Sequence, residues 1–197
     1  MCLRDGFRGV RTGDEALARL KAFVDGRAPG DWIVGQLWHP QSQLAEGRFL
    51  TRAELDAVAP HNPIHLPVGH FSMLNSLSLA AAGVTRDTPD PEGGTIHRDA
   101  DGEPSGVLEE AAERMVIAAF PGWSPEARRQ QLVDAQAHLN SFGLTSAISA
   151  AVNPRDVRHY NSIRLAGEQT LRLSLMFAPT GHLHPSLIQL SEPTRPY

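Results

Sequence analysis

The segment from Ser124 to Phe177 restricts the fold of this chain more than any other stretch. Ser124-Pro125-Glu126 places a capping hydroxyl, a first-turn proline and an acid at the positive end of a helix dipole. Leu132, Ala135, Leu139 and Phe142 then mark one apolar face, and Gly143 suits the stop. Leu144 to Ala150 reads as a strand, Asn153-Pro154-Arg155-Asp156 opens a second helix that Gly167 ends, and Leu171 to Phe177 reads as the next strand. Strand, helix and strand joined by short connections predict a right-handed βαβ unit, the building block of parallel sheets and barrels.

The first part of the chain is more varied. Thr12-Gly13-Asp14-Glu15 has capping-box spacing ahead of Leu17, Leu20 and Val24, which predicts a helix over 13–25. Thr51-Arg52-Ala53-Glu54 repeats the box before a short helix that Pro60 closes. Trp32 to Trp38 and Ile64 to Val68 read as strands. Met73 to Ala82 has helical spacing with Gly83 beyond it, and the turn-rich run from Asp87 to Pro104 holds a plausible β-hairpin around Thr95-Ile96-His97-Arg98. Leu108 to Phe120 again has helical spacing, stopping at Pro121-Gly122.

Composition narrows the function classes. A formal charge of −4 without a cluster of positive charge argues against nucleic acid as a partner. No apolar run approaches membrane-spanning length and no hydrophobic signal core follows Met1, so the expected setting is cytoplasmic, with no membrane partner. Cys2 is the only cysteine and sits near a chain end, where a catalytic or ligating thiol is not expected. Lys21 is the only lysine and lies in the first helical pattern, away from any strand. It is poorly placed to bridge metals as a carboxylated lysine or to form a Schiff base. A serine-hydrolase reading fails for want of a Gly-x-Ser-x-Gly elbow.

Val68-Gly69-His70, Leu74-Asn75-Ser76, Leu79, Gly83-Val84-Thr85, Pro89 to Gly94 and Gly102 to Ala112 together resemble the insertion of the family 3 branch of the metal-dependent amidohydrolases, including its N-substituted formamide deformylase-like members. Trp32-Ile33-Val34-Gly35-Gln36-Leu37-Trp38, Leu50 to Asp56, Pro60 to Ile64, Phe142 to Ala150 and Gly167 to Leu175 follow the family's order. Leu37 replaces a usual glycine there, and Ser149 a frequent acid. The resemblance implies an α/β fold, a partial (β/α)8 TIM-barrel metallohydrolase. Residues 1–122 would be the subdomain inserted between the first two barrel strands, 123–178 the βα units of about two barrel strands, and 179–197 a C-terminal tail.

A complete barrel needs about 200 residues at minimum and typically about 250, so 197 residues would not hold a barrel and a long insertion as well. The family uses one or two divalent metals, zinc or similar, to activate water against a C–N bond of a small-molecule amide or formamide-like substrate. Its His-x-His pair and later ligands have no counterpart in this chain. The resemblance therefore implies a portion of such an enzyme, inactive alone and not binding metal by itself, with self-association through incomplete barrel edges. The alternative is a non-catalytic fragment or binding module that retains the insertion fold.

His70 is the leading substrate-facing candidate, expected between a strand end and a helix; its other reading is a histidine that satisfies a buried turn. Glu110 fills the glutamate position of the family motif, where it would reach a metal or a substrate amine, or only stabilise a first helical turn. Glu109 is expected to be solvated. Asn75 and Ser76 either bind substrate or cap the following helix, with capping favoured. His182-Leu183-His184 has the spacing of a paired metal ligand within a loop, which leaves open a small self-contained metalloprotein. His39, His61, His65, His97, His138 and His159 are scattered, and structural or exposed roles are expected for them.

Overall fold

The computed structural model describes residues 2–3, 7, 9–35, 38–153 and 156–177. Two compact units make up the chain, Met1–Pro121 and Gly122–Tyr197. The first contains β1 (Cys2–Leu3), α1 (Gly13–Val24), β2 (Ile33–Gly35), α2 (Pro40–Gln43), α3 (Arg52–Val58), β3 (Ile64–Val68), β4 (Phe71–Leu74), α4 (Ser76–Ala81), β5 (Gly94–Arg98), β6 (Pro104–Glu110) and α5 (Glu113–Ala119). The second contains α6 (Pro125–Ser141), β7 (Ser146–Val152), α7 (Val157–Leu165) and β8 (Arg172–Phe177).

Helix starts follow the capping chemistry. Thr51 Oγ1 accepts from Glu54 N while Glu54 Oε2 accepts from Thr51 N at 2.7 Å, a complete capping box for α3. At α1, Thr12 Oγ1 accepts from Glu15 N, but the Glu15 carboxylate takes the Arg11 amide instead of that of Thr12. Only half of the expected box forms there.

Six strands of the first unit form a mixed sheet in the order β1-β2-β3-β4-β6-β5. The pairs β1–β2 and β2–β3 are parallel, and the rest are antiparallel. Period-2 alternation sorts its side chains onto two faces. Ile64, Leu66, Val68, Met73 and Val107 pack with Leu20, Leu50 and Leu55 from the flanking helices and their connections, whereas Leu74, Ile96 and Leu108 pack with Leu79, Val84 and Val116. Fully burying one such aliphatic side chain contributes about 2 kcal/mol, so packing on both faces holds the sheet between its helices and connections.

Two expectations for this unit are corrected. Phe71–Leu74 is a strand, and the helix runs only over Ser76–Ala81. The two-residue Gly69-His70 turn, with positive φ only at Gly69 (62°), has the pattern of type II′ and returns the chain along β3. A four-residue apolar run cannot by spacing alone be assigned to helix or strand. Likewise residues 104–110 form the strand β6, paired on both sides, and the helix begins only at Glu113. The strand expected over 32–38 is described only for Ile33–Gly35.

In the second unit, β7 and β8 pair in parallel across α7, as the sequence rhythm predicts, with Ser146 opposite Arg172 and Ser149 opposite Leu175. The apolar face expected on α6 is only half-buried, and Phe142 is exposed. Gln136 is instead the buried residue of the helix, its Oε1 accepting from Thr170 N at 2.8 Å and from Leu171 N at 3.3 Å. Among the described residues no helix is long and apolar enough to cross a membrane.

Candidate functional site

The turn between β3 and β4 and the end of β6 meet at one end of the sheet's strands. Glu110 N donates to His70 O at 2.9 Å, which brings their side chains together. His70 Nδ1 lies 2.9 Å from Glu110 Oε1, and both side chains are exposed, 76% and 54%. The two residues singled out from the sequence therefore form one pair. Their surroundings differ from expectation: His70 leads into a strand, and Glu110 closes a strand without entering a helix. Their exposure removes the reading of His70 as a buried turn histidine.

Glu110 has φ of 52°, the one positive value among the described non-glycine residues. A side chain held there is strained by about 1–2 kcal/mol, and such strain gathers at functional sites. The surroundings fix it. A Cβ on the facing Gly94 would lie 2.3 Å from Ala112 N, so glycine alone lets β5 press against the turn that follows Glu110.

Behind the pair runs a buried polar chain. Register places His65, Ser72 and Glu110 on the same face, since Pro67 pairs with Ser72 and Ser72 with Leu108. Ser72 Oγ donates to Glu113 Oε1 at 3.0 Å and lies 3.0 Å from His65 Nε2. The serine has one proton, so while it donates to Glu113 it must accept from His65 Nε2–H, which sets the neutral tautomer. Burial pushes the His65 pKa down to about 4, so the ring is uncharged at neutral pH. Glu113 is moved upward by its own burial, the Ser72 hydrogen bond pulls the other way, and the charge of Glu110 adds to the rise.

The sequence did not single out Ser72 or Glu113, and it placed His65 only among the scattered histidines. The signal is the single polar residue of Phe71-Ser72-Met73, which carries meaning only once this run pairs as a strand; the helical spacing begins at Met73 and leaves Ser72 before it. Glu109 is also not simply solvated: its Oε2 lies 2.9 Å from His97 Nε2, on the opposite face. Asn75 is fully buried and caps α4, accepting from Ser78 N, and Ser76 Oγ donates to Asp56. Both therefore hold structure at the place where a substrate role was the other option.

A catalytic cation needs at least three protein ligands in most sites of this kind. His70 and Glu110 offer two donors, while His65 Nε2 and Glu113 Oε1 are both engaged with Ser72. Among the described residues no group of three or more His, Cys, Asp or Glu could hold a metal ion. These residues do not fit a catalytic metal centre by themselves. His182 and His184, the other candidate pair, lie outside the described residues.

A family model described as "Amidohydrolase family" matches residues 3–195. Protein LONG AFTER FAR-RED 3 of Arabidopsis thaliana is 36% identical over 145 residues, covering 73% of this chain and 24% of that protein. The N-substituted formamide deformylase of Arthrobacter pascens is 34% identical over 174 residues, covering 83% of this chain and 31% of the enzyme. Among solved structures, an uncharacterized metal-dependent hydrolase from Pyrococcus horikoshii matches with a TM-score of 0.57 at 20% identity, over 87% of this chain and 32% of that one. That likeness is one of fold. The chain thus spans about a quarter to a third of the length of these proteins.

Proposed function

The chain belongs to the amidohydrolase family, and from that premise we propose that it forms part of a metal-dependent hydrolase acting on the C–N bond of a small amide or formamide-like substrate. Residues 1–122 would be the subdomain inserted in a (β/α)8 barrel and 123–178 two of its βα units. The observation that carries the site reading is the His70–Glu110 contact of 2.9 Å on a strained, exposed strand end. With Nδ1–H held by Glu110, the imidazole turns Nε2 outward as an acceptor for a substrate N–H, and in its protonated form it can donate to a departing nitrogen. Glu110 orients the ring, and Glu113 lies behind it as a carboxyl whose proton is held more tightly than usual.

Groups of such an enzyme that this chain does not contain would hold the divalent metal, zinc or similar. The isolated chain would therefore be inactive, in keeping with its quarter to third share of the relatives' length. The same reading places it in the cytoplasm. It also gives the exposed Ile148 and Met176 of the two-stranded sheet a partner, either further βα units or a second copy.

The test is a segment exchange into the Arthrobacter pascens deformylase, with hydrolysis of N-substituted formamides as the readout. The exchanged enzyme should turn over, and His70→Ala and Glu110→Gln should each lower kcat/KM about tenfold or more. Full activity in both variants would reject the site roles. Turnover by the isolated chain would reject the placement of the metal-holding groups elsewhere. The exposure of the pair favours one second reading, a non-catalytic binding module. Inactive exchanged enzyme that still binds the formamide would support it.

A further inference from the structure

At the opposite end of β6, about 20 Å from Glu110 at roughly 3.3 Å per residue, lies an open surface cavity of about 340 Å3. Its floor is apolar, from Leu79, Val84 and Pro104, all buried, and Arg52 and Arg86 stand in its walls. A volume in this range, mostly apolar with a few fixed polar groups, suits a small ligand.

The Arg86 guanidinium is held by a hydrogen bond without being saturated, and that of Arg52 only faces a carboxylate. Arg86 Nη2 donates to Asp101 O at 2.7 Å, and Nε lies 3.4 Å from Glu103 Oε1. Arg52 Nη2 faces Asp99 Oδ2 at 3.8 Å, beyond hydrogen-bond length. A guanidinium has five N–H donors, so both keep donors for a further acceptor. Gly106 sets the position of Arg52. Its φ is 98°, and a Cβ there would lie 2.6 Å from Leu74 O and 3.0 Å from Arg52 Cβ, so only glycine lets the start of α3 approach β6 this closely.

We propose that this cavity, lined by Arg52 and Arg86 over an apolar floor, binds a small monocarboxylate with a branched aliphatic body. The carboxylate would bridge the two guanidiniums in planar, charge-assisted hydrogen bonds, and the body would cover Leu79 and Val84. Asp99 and Glu103 balance the two positive charges, so an anion is held by the spare N–H donors and not by net charge, and it is the apolar floor that favours a monocarboxylate with an aliphatic body over phosphate. Glu103 is itself a competing carboxylate and sets a weak, millimolar affinity. The site is independent of the C–N hydrolysis reading, since it shares no residue with His70, Glu110 or Glu113.

The experiment is an NMR titration of the full chain with 3-methylbutanoate, 3-methylbutanol and inorganic phosphate. Saturable shifts are expected with the carboxylate at the amides of Val84, Thr85, Arg86, Gly102 and Glu103, and weaker ones with the alcohol and phosphate. Arg86→Gln should weaken binding about tenfold or more, and Glu103→Gln should tighten it about threefold or more by removing the competitor. The tightening cannot arise from damage to the fold. No saturable shift by about 100 mM, phosphate binding more tightly than the carboxylate, or no tightening in Glu103→Gln would each overturn the proposal.

Discussion

His65 gives the fold a calculable dependence on pH. Its ring is 7% exposed, and burial holds its pKa at about 4, against 6.5 for an unperturbed histidine. Between those values the unfolded chain binds a proton that the folded chain excludes, so stability is complete above about pH 6.5 and is lost as pH falls towards 4. One pKa unit corresponds to about 1.4 kcal/mol, so the full loss is about 3 kcal/mol, of which about 2 kcal/mol falls between pH 7 and 5. Glu113, reached through Ser72, acts in the opposite sense because its pKa is raised in the fold, and it stabilises as pH falls through its own range. Glu110 and His70 stand beside that carboxyl. His65→Gln removes the titration and keeps a side-chain donor for Ser72, so the variant isolates the histidine's share. Urea unfolding at pH 7 and pH 5, followed by tryptophan fluorescence in a Trp123→Phe background, should show the parent losing about 2 kcal/mol more than the variant. Equal losses, or a His65 imidazole titrating near 6.5 by NMR, would refute the reasoning.

Asn75 makes four buried hydrogen bonds, to Ile64 N, Ser78 N, Ala59 O and Asn62 O; Asn75→Ala should cost about 3 kcal/mol in the same urea assay, and a loss below about 1 kcal/mol would contradict this. Glu110→Gly and Glu110→Ala both lose the contact to His70, but only glycine is at ease at the positive φ; the glycine variant should match or exceed the alanine variant in stability despite glycine's cost of about 0.5–1 kcal/mol in unfolded-chain entropy, and a glycine variant less stable by that full cost would show that no strain is held there. The proposed self-association through the β7–β8 pair predicts oligomers of the parent chain in sedimentation velocity and a shift towards monomer in Ile148→Lys combined with Met176→Lys, because both side chains are exposed; a monomeric parent or an unchanged distribution would reject that face as a contact between copies.

Local chemistry with one strong solution was legible in the sequence. The Thr51 and Ser124 caps, the Gly143 and Gly167 stops and the parallel β7–β8 pair follow from capping geometry and from periodicity over long segments. Short apolar runs were not legible, because Phe71–Leu74 and Val107–Glu110 become strands only through pairing with β3, β4 and β5. That long-range term outweighs intrinsic propensity. The inner layer of the site was also out of reach. His70 and Glu110 were found by motif, but Ser72, on β4, and Glu113, at the start of α5, meet only in the folded unit across a separation of 41 residues, which no local pattern encodes. Gln136 was hidden for a related reason, since a polar residue on an apolar helix face reads as an interruption until its backbone partners are known.

The central claim is that this chain carries the His70–Glu110 pair of a hydrolase whose metal-holding groups belong to other parts of such an enzyme and not to this chain. Its most direct test is the zinc content of the full chain after equilibration with zinc and exhaustive dialysis, measured by elemental analysis beside a formamide hydrolysis assay. The account predicts far less than one retained zinc per chain and no turnover. One tightly held zinc per chain together with turnover would contradict it.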